Sequence, residues 1–230
     1  RRPLYIVFAT LATNLLPGQD TNNQADIYRF DRSNAVIERV STTSTGLQAN
    51  AGNFRPRISR DGRLVAFESL ATNMVPNDTN GVVDIFVKDM LTGQLNLASA
   101  SGAGVPGNGA SSSVAFSGSG QFVAFRSAAN NLVAGDTNGL GDVFLKNLTT
   151  GAVTLVSAGL AGAPANEFSD HPAVSQDGNL VAFDALAGNL VAHDANANTD
   201  IFVRQINTST TTRINLSERG VEGELASARP

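Results

Sequence analysis

The sequence predicts an all-β chain folded as a β-propeller of four-stranded antiparallel blades, in four repeats of about 58 residues. Three observations carry that expectation. Asp20, Asp78, Asp136 and Asp194 recur at a step of 58, as do Asn22, Asn80, Asn138 and Asn196, and again Asp26, Asp84, Asp142 and Asp200. Short apolar runs within each repeat are separated by tight turn signals, which is the pattern of a β-meander. Runs such as Leu64-Val65-Ala66-Phe67 are apolar on both faces, so they need a sheet above and a sheet below. A β-sandwich is the runner-up fold, but it leaves the uniformity of the repeats unexplained.

The second copy shows the elements in order. Arg55 to Ser59 is a short extended segment. Arg60-Asp61-Gly62-Arg63 is a hairpin turn, with Asp-Gly supplying the positive φ values. Leu64 to Glu68 is a strand, Leu70 to Val83 a long polar loop, and Asp84 to Lys88 the next strand. Leu91-Thr92-Gly93 turns the chain into a last strand, Gln94 to Ala98. The third and fourth copies read alike through Phe122-Val123-Ala124-Phe125 and Leu180-Val181-Ala182-Phe183. The repeats run approximately 1–54 with 226–230, 55–112, 113–170 and 171–225, in one domain over 1–230. Ala226 to Pro230 supplies an innermost strand for the blade begun by Leu4 to Phe8 if the ring closes on itself. A section of a larger ring and a ring of two copies are the alternatives. The abrupt opening Arg1-Arg2-Pro3 suits a mature form or an excised fragment.

The loop Asp-x-Asn-x-x-x-Asp carries the candidate chemistry. Oxygen side chains at positions 1 and 3 converge when the chain turns tightly between them, and the position-7 carboxylate is fixed to the start of a strand. Calcium takes six to eight such oxygens at flexible angles, whereas magnesium prefers few protein ligands and keeps its waters. Hard oxygen ligands also argue against zinc and copper. The expected calcium ligands are Asp20, Asn22, Gln24 and Asp26; Asp78, Asn80, Val82 and Asp84; Asp136, Asn138, Leu140 and Asp142; and Asp194, Asn196, Asn198 and Asp200, up to one ion per repeat. Position 5 contributes its backbone carbonyl. The plain alternative is a turn, since Asp and Asn hydrogen-bond their own backbone. The second and third loops, with Gly81 and Gly139 after the asparagine, are the strongest. Asn14, Asn73, Asn131 and Asn189 are read as buttresses, and Asn50, Asn108, Asn166 and Glu224 as inter-blade turns.

Composition excludes several functions. Net charge is −4 and the sixteen basic residues are scattered, which argues against nucleic acid. Cysteine is absent, so there are no disulfides and no thiol chemistry. No apolar run is long enough to span a membrane, and no signal peptide is visible. Glycine-rich phosphate loops and Gly-x-Ser-x-Gly are missing.

The stretches Ile58-Ser59-x-Asp61-Gly62-x-Leu64-Val65-Ala66-Phe67 and Asp78-Thr79-Asn80-Gly81-x-x-Asp84-Ile85-Phe86-Val87 resemble TolB-like, WD-repeat-like propeller repeats of bacterial periplasmic and cell-surface proteins. That resemblance implies an exported, periplasmic or extracellular protein whose propeller mediates binding. The first copy matches least well.

Catalysis is weighed on two histidines, His171 and His193. Neighbours in a strand alternate faces, so Ser169, Asp170 and His171 cannot form a triad. The preferred reading is a non-catalytic calcium-binding scaffold, with no catalytic residues. It binds a protein or glycan at a positive channel mouth built from Arg55, Arg57, His171 and Arg229. The rival is a calcium-dependent propeller hydrolase or lyase using Asp170 and His171.

Overall fold

In the computed structural model, residues 4–16, 20–217, 220, 221, 223 and 225–230 are described. Their strands fall into four antiparallel sheets in chain order. The first holds β1 (Tyr5–Thr10), β2 (Asp26–Asp31) and β3 (Val36–Arg39). The second holds β4 (Asn53–Ile58), β5 (Leu64–Ser69), β6 (Asp84–Asp89) and β7 (Leu95–Leu97). The third holds β8 (Ser111–Phe116), β9 (Phe122–Ser127), β10 (Asp142–Asn147) and β11 (Val153–Leu155). The fourth holds β12 (Ser169–Val174), β13 (Leu180–Ala185), β14 (Asp200–Gln205) and β15 (Thr210–Arg213). Each strand pairs with its sequence neighbour, so every sheet is a meander. Successive sheets pack face to face, β4 on β1, β8 on β5 and β6, β12 on β9. This is a β-propeller.

The core lies between blades. One apolar cluster joins Ile27 and Val40 of the first blade to Val65, Phe67 and Phe86 of the second. A second joins Ala66, Ile85 and Val87 to Val123, Phe125 and Phe144. A third joins Ala124, Val143 and Leu145 to Val181, Phe183 and Phe202. Strands apolar on both faces are therefore buried on both faces, as β5 and β6 show along most of their length. Each blade stacks one aromatic pair across its two central strands: Phe8 on Tyr28, Phe67 on Phe86, Phe125 on Phe144 and Phe183 on Phe202, with centroids 5.8–6.0 Å apart.

The hairpin glycines have a second duty. Gly178 adopts φ +77°, and a Cβ there would meet Phe122 Cδ2 at 2.3 Å, so the turn of one blade seats against a ring of the preceding one. Buried cations clip blades together. Lys88 Nζ donates to the carbonyls of Thr42 and Thr43 at 3.1 and 2.7 Å, and Lys146 Nζ to those of Ala100 and Ser101 at 2.7 and 3.3 Å. Burial pushes both lysine pKa values down. Arg204 Nη1 makes the matching bond to Ala158 O at 3.2 Å.

The segment 226–230 takes an innermost position beside the fourth blade. Ser227 N–H donates to Thr199 O, as Asn53, Ser111 and Ser169 N–H donate to Ala25, Val83 and Gly141 O in the earlier blades. Among the described residues β1 pairs with β2 alone.

Candidate cation loops and central mouth

Each Asp-x-Asn-x-x-x-Asp loop ends on the first residue of a strand, entering β2, β6, β10 and β14 from β1, β5, β9 and β13. The asparagine builds the turn. Asn80 Oδ1 accepts from Val82 N–H at 3.0 Å, and its Nδ2 donates to Asp84 Oδ2 at 2.7 Å and Gly107 O at 2.8 Å. Asn138 repeats this with Leu140 N–H at 2.9 Å, Asp142 Oδ2 at 2.6 Å and Ala165 O at 2.9 Å. Asn22 accepts from Gln24 N–H at 2.8 Å, and Asn196 from Asn198 N–H at 2.8 Å. Position 4 is left-handed throughout, at Asn23, Gly81, Gly139 and Ala197, with φ 53°, 69°, 67° and 53°. Asn80, Asn138 and Asn196 thus present N–H to the position-7 carboxylate, whereas Asn22 Nδ2 donates to Ala49 O. The position-5 N–H takes one lone pair of each amide oxygen and leaves the other.

The position-7 carboxylates are held from behind. Ser41, Ser99 and Ser157 Oγ–H donate to Asp26, Asp84 and Asp142 Oδ1 at 2.6 Å each, and accept from the N–H of Ile27, Ile85 and Val143. Asn215 fills the same position in the fourth blade, donating to Asp200 Oδ1 and accepting from Ile201 N–H. Sequence reasoning missed this series, although it keeps the same step of 58. The other two asparagine series are structural: Asn73 and Asn131 bracket the inter-blade turn, accepting from Asn50 and Asn108 N–H and donating to the carbonyls of Gln48 and Pro106. Glu224 lies outside the described residues.

Position 1 divides the four loops into two kinds. In the second and third blades it is buried without a counter-charge. Asp78 is 4% exposed and Asp136 6% exposed. Among the described residues no hydrogen bond reaches the Asp78 carboxylate, and Asp136 Oδ1 is buried with no partner. Burial, reinforced by Asp84, pushes Asp78 up to about 6. Burial pushes Asp142 up to about 6 against its bonds to Ser157 and Asn138, and raises Asp84 and Asp136 as well. In the fourth blade Arg213 Nη1 lies 3.0 Å from Asp194 Oδ1 and 3.2 Å from Asp200 Oδ2. In the first, Gln48 Nε2 donates to Asp20 Oδ1 at 3.0 Å and Asp26 Oδ2 at 2.9 Å, and Arg39 Nε lies 3.4 Å from Asp26 Oδ2.

No group of three or more His, Cys, Asp or Glu gathers among the described residues. A cation at the second or third loop therefore meets two carboxylates and must fill its shell with backbone carbonyls and water. No hydrogen bond occupies the Val82 or Leu140 carbonyl among the described residues. This donor set suits calcium and not zinc.

The innermost strands converge on a cavity of about 590 Å³ lined by Arg55, Arg57, Ser112, Ser113, Asp170, His171, Arg229 and others. β4, β8 and β12 each carry a bulge there. Arg55, Ser113, His171 and Arg229 hold the equivalent left-handed position, with φ 45°, 57°, 49° and 62°. The four predicted mouth residues do meet, but acids accompany them. Arg55 pairs with Glu68 at 2.8 Å, Asp184 accepts from His171 Nδ1 at 2.9 Å, and Arg229 N–H donates to Asp184. The acid that binds the His171 ring is thus Asp184 on the adjacent strand, whereas Asp170 accepts from the His171 backbone N–H. Ser169 Oγ is buried without a partner.

No family model and no curated protein matches the chain. Solved structures do. A putative TolB from Agrobacterium tumefaciens matches with TM-score 0.50 and 18% identity over 84% of this chain. The tricorn protease matches with TM-score 0.53 and 12% identity over 88%, and a structure of prolyl endopeptidases with 0.55 and 13% over 93%. The chain spans 55%, 17% and 28% of the lengths of those three. At such identities the likeness establishes architecture alone, and the chain is a β-propeller.

Proposed function

We propose that this propeller is a calcium-stabilised binding scaffold without catalytic activity, exported to the periplasm or cell exterior. One observation carries the calcium reading: paired carboxylates are buried side by side in the second and third loops, with Asp136 Oδ1 unsatisfied. Two buried anions repel unless a cation or protons neutralise them. Extracellular modules bind calcium with Kd of about 10⁻⁴–10⁻³ M, which a calcium-rich exterior satisfies. A ligand that binds only the folded state stabilises it by mass action, about 2.7 kcal/mol at a hundredfold excess over Kd. Calcium is therefore expected to raise the melting temperature over chelator by roughly 5–10 °C. The Asp78→Ala plus Asp136→Ala variant loses that increment. Equal melting temperatures in calcium and chelator for the unaltered protein refute the reading.

The binding surface in this reading is the central mouth. Four non-glycine residues held left-handed at one ring position mark it as specialised. A glycan or peptide bearing carboxylates suits it, because Arg57 and Arg229 are the mouth guanidiniums not paired with an acid among the described residues. Arg57→Glu is expected to weaken binding of acidic oligosaccharides or peptides at least tenfold in a binding panel, with the calcium-dependent melting shift unchanged. Undiminished binding places the ligand elsewhere.

A further inference from the structure

The step of 58 aligns Arg39, Leu97, Leu155 and Arg213, each the last residue of its blade's outermost strand. Each pairs in register with the aromatic of the neighbouring strand: Tyr28, Phe86, Phe144 and Phe202. The position therefore looks into the same place in every blade, beside the carboxylate loop. Two blades put a guanidinium there and two put leucine.

The consequences differ by blade. Arg213 bridges both carboxylates of the fourth loop through a single nitrogen, at 3.0 and 3.2 Å. Its side chain and both acids are almost fully buried, so the attraction is weakly screened. In the first loop, Arg39 approaches Asp26 while the Gln48 amide spans Asp20 and Asp26. The counterparts of Gln48 are Pro106 and Pro164 in the second and third blades, and proline has no donor to offer. There the loops keep Asp78 with Asp84 and Asp136 with Asp142, and among the described residues no salt bridge reaches any of the four, although the Arg126 charge lowers Asp142 against its burial. Independent of acid content, Asp136 is more than nine-tenths buried and its Oδ1 has no partner; Asp20 Oδ2 in the first loop is also without one, but there Gln48 donates to Oδ1.

We infer that the four loops are not equivalent: those of the second and third repeats are divalent-cation sites, and those of the first and fourth are sites in which arginine has replaced the ion. The inference rests on the calcium reading above and sharpens it from one ion per repeat to two ions per chain. In the fourth loop the Arg213 guanidinium bridging two carboxylates supplies charge and donors without a shell of six to eight oxygens; in the first, Arg39 supplies the charge at Asp26 and the Gln48 amide the donor shared by Asp20 and Asp26. The outer loops are thus cation-filled permanently, and the inner loops only when calcium is present.

The test is calorimetric titration of calcium into chelator-stripped protein, with ions counted per chain. Two ions are expected. Asp136→Asn leaves one. Leu155→Arg also leaves one, and melts higher in chelator than the unaltered protein because the new guanidinium neutralises Asp136 and Asp142. Arg213→Leu vacates the fourth loop and raises the count to three. If Leu155→Arg does not fold, the counts for Asp136→Asn and Asp194→Asn still decide. Three or four ions in the unaltered protein, or a count lowered by Asp194→Asn and not by Asp136→Asn, overturn the inference and leave the calcium scaffold standing. No bound ion at all overturns both.

Discussion

Stripped of calcium, the protein is expected to lose stability as pH rises from about 4 to about 7. Asp78 and Asp142 stand near 6 in the folded chain, pushed there by burial, against an ordinary carboxylate value of 3.8. The folded state therefore keeps protons that the unfolded state releases across that interval. Linkage fixes the sign: stability tied to these groups is full below about 4 and lost as pH passes through 6. A shift of two units corresponds to about 2.7 kcal/mol per group, and coupling to Asp84 and Asp136 makes the sum less than additive. A combined loss of about 2–5 kcal/mol, or about 5–15 °C in melting temperature, follows for a chain of this size. Asp89 and Asp61 work in the opposite sense below pH 4, since bonds from Arg63 and Ser59 hold their pKa values down. The metal-free protein is thus most stable near pH 4–5. Saturating calcium displaces the retained protons and flattens the neutral limb. Scanning calorimetry in chelator and in calcium, at half-unit pH intervals, measures both curves. A chelated protein that gains stability from pH 4 to 7 contradicts the account.

Truncating Phe144 to alanine is expected to cost about 3–5 kcal/mol. Its ring is fully buried in an inner blade, stacked on Phe125 at 6.0 Å and enclosed by neighbours in the cluster shared with the second blade. An inner blade is clamped on both sides, so the cavity cannot collapse easily. Leu91→Ala, at a tip 76% exposed, is expected to stay within about 0.5 kcal/mol. Urea midpoints at constant m decide the comparison. A Phe144→Ala cost below about 1 kcal/mol would mean that inter-blade packing is not what holds the ring.

The period of 58 made the blades legible because each blade buries both faces against copies of itself, so the same apolar pattern must recur. The left-handed position 4 was legible too, since Gly81 and Gly139 flag a backbone that Asn23 and Ala197 also adopt. What stayed hidden lies across strands. Ser99 reaches Asp84 from 15 residues on, and Asp184 binds the His171 ring from the paired strand, contacts that depend on register and not on local spacing. Arg39 and Arg213 escaped notice for another reason: attention fell on positions where the copies agree. The functional difference among the loops sits where they disagree, with leucine in two blades and arginine in two.

The central claim is that buried carboxylate pairs in this propeller require a cation. Its most direct test is a high-resolution crystal structure grown in calcium, with anomalous difference density measured at a wavelength where calcium scatters. The account predicts peaks between Asp78 and Asp84 and between Asp136 and Asp142, each coordinated at 2.3–2.6 Å by carboxylate, carbonyl and water oxygens. Flat anomalous maps there, with the carboxylates protonated and bonded to one another or to water, would contradict it.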